Sequence, residues 1–261
     1  MAQRVVLTFL GTGTSQGVPV IGCQCPVCCS ADPRDNRLRT SAMVEIGDKR
    51  FIIDAGPDFR VQLLREGVSH ITAILLTHKH KDHIGGIDDV RALNFVDYPQ
   101  IHTVHIYATA QTVACVEKDY DYAFFTERYR GTPEISLHTI DPEQSFAIDG
   151  VDIIPIRGRH AHFEVTGYRF GELAYITDFK DIDKAEIEKL KGVKVLVINA
   201  LRFTPHDSHF SVAEALEVID QVKPERAYLT HMSHEIGLHA QAECQLPHNV
   251  KFAYDTLKIE L

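Results

Sequence analysis

Seven consecutive residues, Thr77-His78-Lys79-His80-Lys81-Asp82-His83, constrain this chain more than any other stretch. They follow an apolar run, Ile71 to Leu76, and precede Gly85-Gly86. A short apolar run reads as a buried strand, so three imidazoles and a carboxylate sit where a strand gives way to a loop. In an open α/β sheet that is the end at which ligands bind. Neutral imidazole and carboxylate are ligands for zinc, and also for manganese or iron. His78 and His80 are two apart and share a side of an extended backbone, whereas Asp82 and His83 lie beyond a turn and can face another way. That geometry suits two adjacent metals better than one.

The rest of the composition narrows the setting. No linker or low-complexity segment divides the 261 residues, so 1–261 reads as a single domain. Its 44% hydrophobic and 24% charged content is that of a soluble globular protein. There is no run of about 18 apolar residues, and Met1-Ala2-Gln3-Arg4-Val5 lacks a signal-peptide layout. No membrane association and a cytoplasmic location are therefore expected. A net charge of −9 disfavours an extended nucleic-acid surface. It does not exclude a phosphate substrate, because bound metals are the largest local charges in such a site. Four of the six cysteines, Cys23, Cys25, Cys28 and Cys29, crowd into seven residues, which reads as metal binding rather than disulfides. Of the 15 histidines, His70, His102, His105, His138, His239 and His248 read as surface or satisfied core residues.

Along the chain, residues 4–10 read as a strand leading into a glycine-rich loop, Gly11-Thr12-Gly13-Thr14-Ser15-Gln16-Gly17. That loop is neither a Walker loop nor a good dinucleotide fingerprint and reads as a tight turn. Ser41–Ile46 and Arg50–Asp54 form a hairpin turning at Gly47-Asp48. Helices are expected over 58–66, stopped by Gly67, and over 84–94, 110–125, 181–191 and 210–222, the last with Ser208 as candidate cap. Strands are expected over 105–108, 135–140, 144–148, 151–156, 166–170, 172–176, 193–199 and 226–229. The aromatic residues Tyr120, Tyr122, Phe124, Phe125 and Tyr129 offer either local packing or a wall beside the site. Three segments share one layout, an apolar run, then Thr, then a potential ligand: Ile74 to His78, Ala174 to Asp178 and Ala227 to His231. Hairpins with helices set between them suggest an α/β protein of two sheets with outer helices.

His78-x-His80-x-Asp82-His83, followed by His160, Asp178 and His231, resembles the metallo-β-lactamase fold superfamily across nearly the whole chain. The resemblance implies a four-layered αββα sandwich of two mixed sheets, with metals at one edge. It implies one metal on His78, His80 and His160 and another on Asp82, His83 and His231, with Asp178 and a hydroxide bridging them. It selects His160 over His162. The two active-site ions would be zinc or manganese, with iron as a further candidate. Within the superfamily the chain is most similar to the cyclic phosphodiesterases of the carbon–phosphorus lyase pathway. In that family the first histidine of a His-x-x-His pair is catalytic and the second structural. Here the pair is His231-Met232-Ser233-His234, so His234 would complete a structural zinc with Cys23, Cys25 and Cys28. His209 corresponds to a histidine thought to protonate the leaving oxygen or stabilise the transition state, and with Asp82 it makes up the expected catalytic residues. His206 is the weaker candidate. Arg37, Arg39 and Arg60 are read as solvated surface, with contact to a substrate phosphate as the alternative. The implied function is metal-dependent hydrolysis of a small, cyclic or alkyl-aryl, phosphodiester. A tRNase Z-like nuclease and a cofactor-biosynthesis protein like pyrroloquinoline-quinone synthesis protein B are the alternatives. The absence of a Gly/Lys-rich tRNA-gripping arm counts against the nuclease. The resemblance also admits a homodimer.

Overall fold

A computed structural model describes residues 4–125, 129 and 131–261. Among them two seven-stranded sheets pack face to face. The first is built from β1 (Val5–Gly11), β2 (Ser41–Ile46), β3 (Lys49–Ile53), β4 (Ala73–Leu75), β5 (Val104–Thr109) and β6 (Ile135–Ile140) in that order. The second runs β7 (Phe146–Ile148), β8 (Val151–His160), β9 (Phe163–Phe170), β10 (Leu173–Tyr175), β11 (Val195–Asn199), β12 (Arg226–Thr230) and β13 (Val250–Phe252). The chain then returns to the first sheet, where β14 (Lys258–Glu260) pairs antiparallel with β1.

The period-2 alternation of strands decides which side chain goes where. In β11, Val195 and Val197 face the space between the sheets and Leu196 and Ile198 face outward. β11 is buried along its whole length because both its faces are covered. The inter-sheet core joins Phe9, Phe51 and Leu75 of one sheet to Tyr168, Phe170 and Tyr175 of the other. Outside the first sheet lie α1 (Phe59–Glu66), α2 (Lys81–Ile84), α3 (Val90–Asn94) and α4 (Ala110–Asp119). Outside the second lie α5 (Lys184–Leu190), α6 (Val212–Val222) and α7 (His239–Glu243). The layers are α, β, β, α, as the resemblance implies.

Strand directions bring the site together. β3, β4, β5 and β6 are mutually parallel, as are β10, β11, β12 and β13. β8 runs in the direction of β10, since each is antiparallel to β9. The C-terminal ends of β3 and β4 and those of β8, β10 and β12 therefore meet at one edge. Two hydrogen bonds stitch the sheets there: the Tyr168 hydroxyl donates to the Leu76 carbonyl at 2.6 Å, and the Thr166 N–H to the Thr77 carbonyl at 3.0 Å.

Several elements differ from their sequence reading. β8 runs to His160 rather than stopping at 156, and turns at Ala161-His162 straight into β9. The helix expected over 110–125 ends at Asp119, followed by a 3-10 turn over Asp121–Ala123. The long helix before residue 222 starts at Val212, and its cap is Ser211, not Ser208. Ser211 accepts from the Glu214 N–H while Glu214 reaches back to the Ser211 N–H, a complete capping box.

Candidate metal centre

The site begins at the end of β4. Thr77 is buried there, with its N–H and its hydroxyl both donated to Asp54, at 2.8 Å each. His78 follows, and His80 caps the single turn of α2, which carries Asp82 and His83. Thr177 and Thr230 repeat this buried position at the other two strand ends, each followed by a candidate ligand. Asp54, Asp178 and His231 all adopt left-handed backbone, at φ of 64°, 64° and 58°. Such a conformation strains a non-glycine residue by roughly 1 kcal/mol or more, which the surrounding packing must hold. Each of these residues turns a strand end so that its side chain enters the site.

Two sets of donors converge. The ligand atoms of His78, His80 and His160 lie within 4.8 Å of one another, as do those of Asp82, His83, Asp178 and His231. Nε2 of His83 stands 3.2 Å from Asp82 Oδ2 and 3.3 Å from Asp178 Oδ2. Nε2 of His231 stands 3.0 Å from Asp178 Oδ1 and 3.8 Å from Asp82 Oδ2. Asp178 thus offers one oxygen to each of two imidazoles. These contacts lack hydrogen-bond geometry: Nε2 of His78, His83 and His231 are buried polar atoms with no partner. A buried donor or acceptor left unmade costs about 1–3 kcal/mol, so several together fit a site built to hold a cation.

The opposite ring nitrogens of His83, His78 and His160 are held, whereas Nδ1 of His231 has no partner. Asp54 Oδ2 takes the Nδ1 proton of His83 at 2.6 Å, Thr77 Oγ1 meets His78 Nδ1 at 3.0 Å, and the Ser208 carbonyl takes the Nδ1 proton of His160 at 2.7 Å. This is the arrangement that presents Nε2 to a metal. The charges agree. Burial, with His83 beside it, pushes His78 well below the ordinary imidazole range, and burial with His160 lowers His80. Burial opposes charge on Asp178 and Asp82 too, but their imidazole neighbours pull both carboxyls well down. In turn, despite burial, Asp178 and Asp82 hold His83 high and His231 at about 9. The cluster therefore demands positive charge, and its donor set fits divalent cations.

His209 lies beside this cluster, only 9% exposed. Its ring stacks on His231 at 4.8 Å and lies 4.5 Å from that of His160. Nδ1 stands 3.7 Å from Asp178 Oδ1 without a hydrogen-bond partner. Burial, reinforced by His231, lowers it to about 3. His206 is half-buried with its ring 5.4 Å from His209, and its Nδ1 accepts from the Ser208 N–H at 3.2 Å. His162 is exposed at the β8–β9 turn, away from the position that buried His160 occupies.

A second donor set lies apart from the first. Sγ of Cys23, Cys25 and Cys28 stand 3.3, 3.4 and 3.5 Å from His234 Nδ1. Tetrahedral zinc with ordinary Zn–S and Zn–N bonds separates S from N by about 3.5 Å. The Cys28 N–H lowers the Cys25 thiol to about 6, which favours the thiolate a metal binds, while burial pushes the Cys28 thiol up to about 11. Cys29 is exposed and bonds Gln24 instead. The glycine-rich loop connects the two donor sets. Met232, between His231 and His234, exchanges backbone hydrogen bonds with Thr12 and Thr14. At Gly11 a Cβ would fall 2.0 Å from the Arg39 carbonyl, so the glycine permits close backbone approach.

The arginines divide. Arg37 is 1% exposed beside Asp35, which corrects the surface reading: its chain segment runs under the Gly13–Val18 loop. Arg39 is tied to Asp58 at 3.1 Å and to the Ser15 carbonyl, while Arg60 is exposed. Tyr120 packs locally, its hydroxyl donating to the Ile84 carbonyl at the end of α2, and Tyr122 bonds Asp88. Phe125 and Tyr129 are exposed, and the residues between them lie outside those described. Asp54 carries no sequence motif that marks it as a site residue, although it organises Thr77 and His83. Nor does Asn199, whose side chain holds the backbone of Phe179, next to Asp178, at 2.7 and 2.9 Å.

Comparison with known proteins agrees with this geometry. The sequence pattern of the β-lactamase superfamily domain matches residues 49–232. The chain is 40% identical to a crystal structure described as a new diphosphatase from the PhnP family, with a TM-score of 0.93, covering 100% of this chain and 98% of that one. It is 38% identical over 253 residues to an octanoyltransferase of Porphyromonas gingivalis, covering 96% of this chain but spanning only 50% of that protein's length. Zinc-bound PqqB from Methylobacterium extorquens shares the fold at 18% identity and a TM-score of 0.77, with 98% of this chain and 100% of that one covered.

Proposed function

The chain belongs to the PhnP family of the metallo-β-lactamase superfamily, and from that premise we propose that it hydrolyses a small phosphodiester at a dinuclear metal centre. The observation that carries this reading is the convergence of five imidazoles and two carboxylates, in which Nε2 of His78, His83 and His231 has no partner while Nδ1 of His78, His83 and His160 is held. His78, His80 and His160 would hold one divalent ion and Asp82, His83 and His231 the other, with Asp178 shared. Zinc, manganese and iron fit these donors. When bound, such a pair supplies hydroxide near neutral pH and stabilises the charge that develops on the attacked phosphorus. Cys23, Cys25, Cys28 and His234 would hold a structural zinc.

The chain's own residues orient the ligands. Asp54 holds the His83 ring in one tautomer, and the Ser208 carbonyl does so for His160. His209 would hydrogen-bond, or pass a proton to, the leaving oxygen. Asp82 would serve as a ligand, its carboxyl kept ionised despite burial by His83 and His231 beside it. A phosphoanhydride is a second substrate class, favoured by the diphosphatase name of the 40%-identical relative.

Metal-loaded protein is expected to hydrolyse bis(p-nitrophenyl) phosphate, and a panel of cyclic phosphates and alkyl diphosphates would rank the two classes. His209→Ala should lose turnover by roughly 10²–10⁴-fold while its metal content stays unchanged. Inactivity of metal-replete protein on every small diester and diphosphate would overturn the reading. Cleavage of precursor tRNA, with binding that weakens steeply with salt, would favour the nuclease instead. Turnover that requires oxygen would favour the cofactor-biosynthesis reading.

A further inference from the structure

His70, Asp97 and His102 come together on the surface at the far end of the first sheet. His70 lies in the loop before β4 and His102 just before β5, so both sit at the N-terminal ends of strands whose C-terminal ends face the metal centre. Nε2 of His70 and Nε2 of His102 each stand 2.8 Å from the same oxygen, Asp97 Oδ2. The two rings meet edge to face at 5.7 Å. Two loops supply the residues: His70 comes from one, and Asp97, 27 positions on, shares the other with His102, 5 positions further.

We propose that these three residues form a further divalent-metal site, a peripheral His₂Asp centre for a zinc-like ion. The donor chemistry is two imidazoles and one carboxylate, the set that binds zinc with positions left open for water. Its spacing is close to what an ion needs: donors on tetrahedral zinc lie about 3.3 Å apart, so each contact must open by only about 0.5 Å. Exposed side chains, 52%, 47% and 34% accessible, can make that adjustment.

The site is also backed. His70 Nδ1 meets Ser69 Oγ at 2.9 Å. A hydroxyl can donate to or accept from that nitrogen, so Ser69 can support the tautomer that frees Nε2 for a metal. The loop carrying His102 is pinned by fully buried Asn94. Its side chain donates to the His102 carbonyl at 2.7 Å, and its own carbonyl accepts the His102 N–H at 2.9 Å. The loop carrying His70 is anchored two residues on, where Thr72 exchanges hydrogen bonds with Arg50. Beside the cluster lies a groove of about 480 Å³ lined by Ser69, His70, His102 and His105, with room for solvent ligands or a donor from another molecule. An ion here would clamp the lead-in loops of β4 and β5 together.

The test compares the metal-loaded wild-type protein with a His70→Ala/His102→Ala double variant, both cleared of loose metal and titrated with zinc by calorimetry. The wild type is expected to take up one more zinc per chain than the variant and to gain in unfolding temperature where the variant does not. Basal hydrolysis should be the same in both. Asp97→Asn, which keeps the side-chain shape, should lose the same zinc and serves if the double variant folds poorly. Equal zinc uptake and equal melting shifts in wild type and Asp97→Asn would leave the triad a hydrogen-bonded latch and overturn the proposal. Because the readout is a difference of one ion, it stands whether or not the main centre is dinuclear.

Discussion

Asp54 shows how much of a metal centre rests on a residue that need not bind the metal. Fully buried, it spends its carboxylate on the Thr77 N–H, the Thr77 hydroxyl and the His83 ring. Asp54→Asn preserves the volume but replaces one acceptor oxygen with an NH₂ donor. If that group faces His83, the ring must turn or change tautomer, and Nε2 would no longer be free as a ligand. The variant is expected to lose roughly 10–100-fold in kcat/KM or in metal affinity. A steady-state assay paired with metal analysis checks this, and a loss of less than about twofold in both would refute it. Gly56 acts through space: a Cβ there would lie 1.9 Å from the Asp82 carbonyl, so Gly56→Ala must displace the loop carrying Asp82 and His83. Neither role is legible in the chain itself. Asp54-Ala55-Gly56-Pro57 reads as the close of a hairpin, because the partners of Asp54 are 23 and 29 positions away and its left-handed φ leaves no mark on the sequence. His78 to His83, by contrast, is legible because four donors come from one local segment.

At the scale of elements, helix ends and strand lengths are where the sequence reading slipped, each time for a physical reason. Ser208 and Ser211 both precede the helical stretch, and only the fold decides between them. Ser208 is used elsewhere, its carbonyl on His160 and its N–H on His206, leaving the cap to Ser211. Ser211→Ala should therefore cost about 1 kcal/mol of stability in chemical denaturation, and Ser208→Ala much less, since its carbonyl survives the change. β8 was cut short because Arg157-Gly158-Arg159 breaks the apolar pattern. Gly158 is required there by the Phe179 ring, 2.2 Å from where its Cβ would be, and Arg157 is used to clamp α5. Within that clamp, Glu186 accepts from the Arg157 N–H at 2.9 Å, the Arg157 guanidinium at 3.0 Å and Lys189 at 2.9 Å. Burial alone would raise its carboxyl, but the Arg157 N–H, Lys189 and the Arg157 side chain together lower it below the ordinary 4.5. A carboxyl depressed in the folded state contributes stability above its unfolded pKa and loses it as pH falls through the folded value. Glu186→Gln should thus be destabilising at pH 7, with the gap from wild type closing as denaturation is measured at successively lower pH below about 4.5.

For the whole molecule, the two sheets are joined by an apolar core and by the edge where their strand ends meet. The repeated strand–Thr–ligand layout made that edge legible, because parallel strands deliver their C-terminal ends to the same side. β13 and β14 were missed because three residues each are too few to show a period, and β14 finds its partner in β1, at the opposite end of the chain. The main centre and the cysteine site both cross this divide. His78, His80, Asp82 and His83 follow β4 of the first sheet, whereas His160, Asp178 and His231 come from the second; likewise Cys23, Cys25 and Cys28 follow β1, and His234 follows β12. Ions bound only in the folded state would then act as cross-links. Free ion at 1,000 times its Kd adds about 4 kcal/mol, which in a chain of this size corresponds to roughly 10 °C in unfolding temperature. Chelation should therefore lower the melting point by at least that much and abolish hydrolysis, and the two effects separate by site. Cys25→Ser, which removes one thiolate, is expected to release one zinc per chain and lower the melting point by about one ion's share while the remaining metal still supports turnover. His83→Ala is expected to do the reverse, losing turnover with the cysteine-bound zinc in place. Elemental analysis beside melting curves reads both. Should Cys25→Ser retain every zinc of the wild type, the cysteine cluster would be a set of half-buried thiols, and the join between the sheets would rest on the main centre alone.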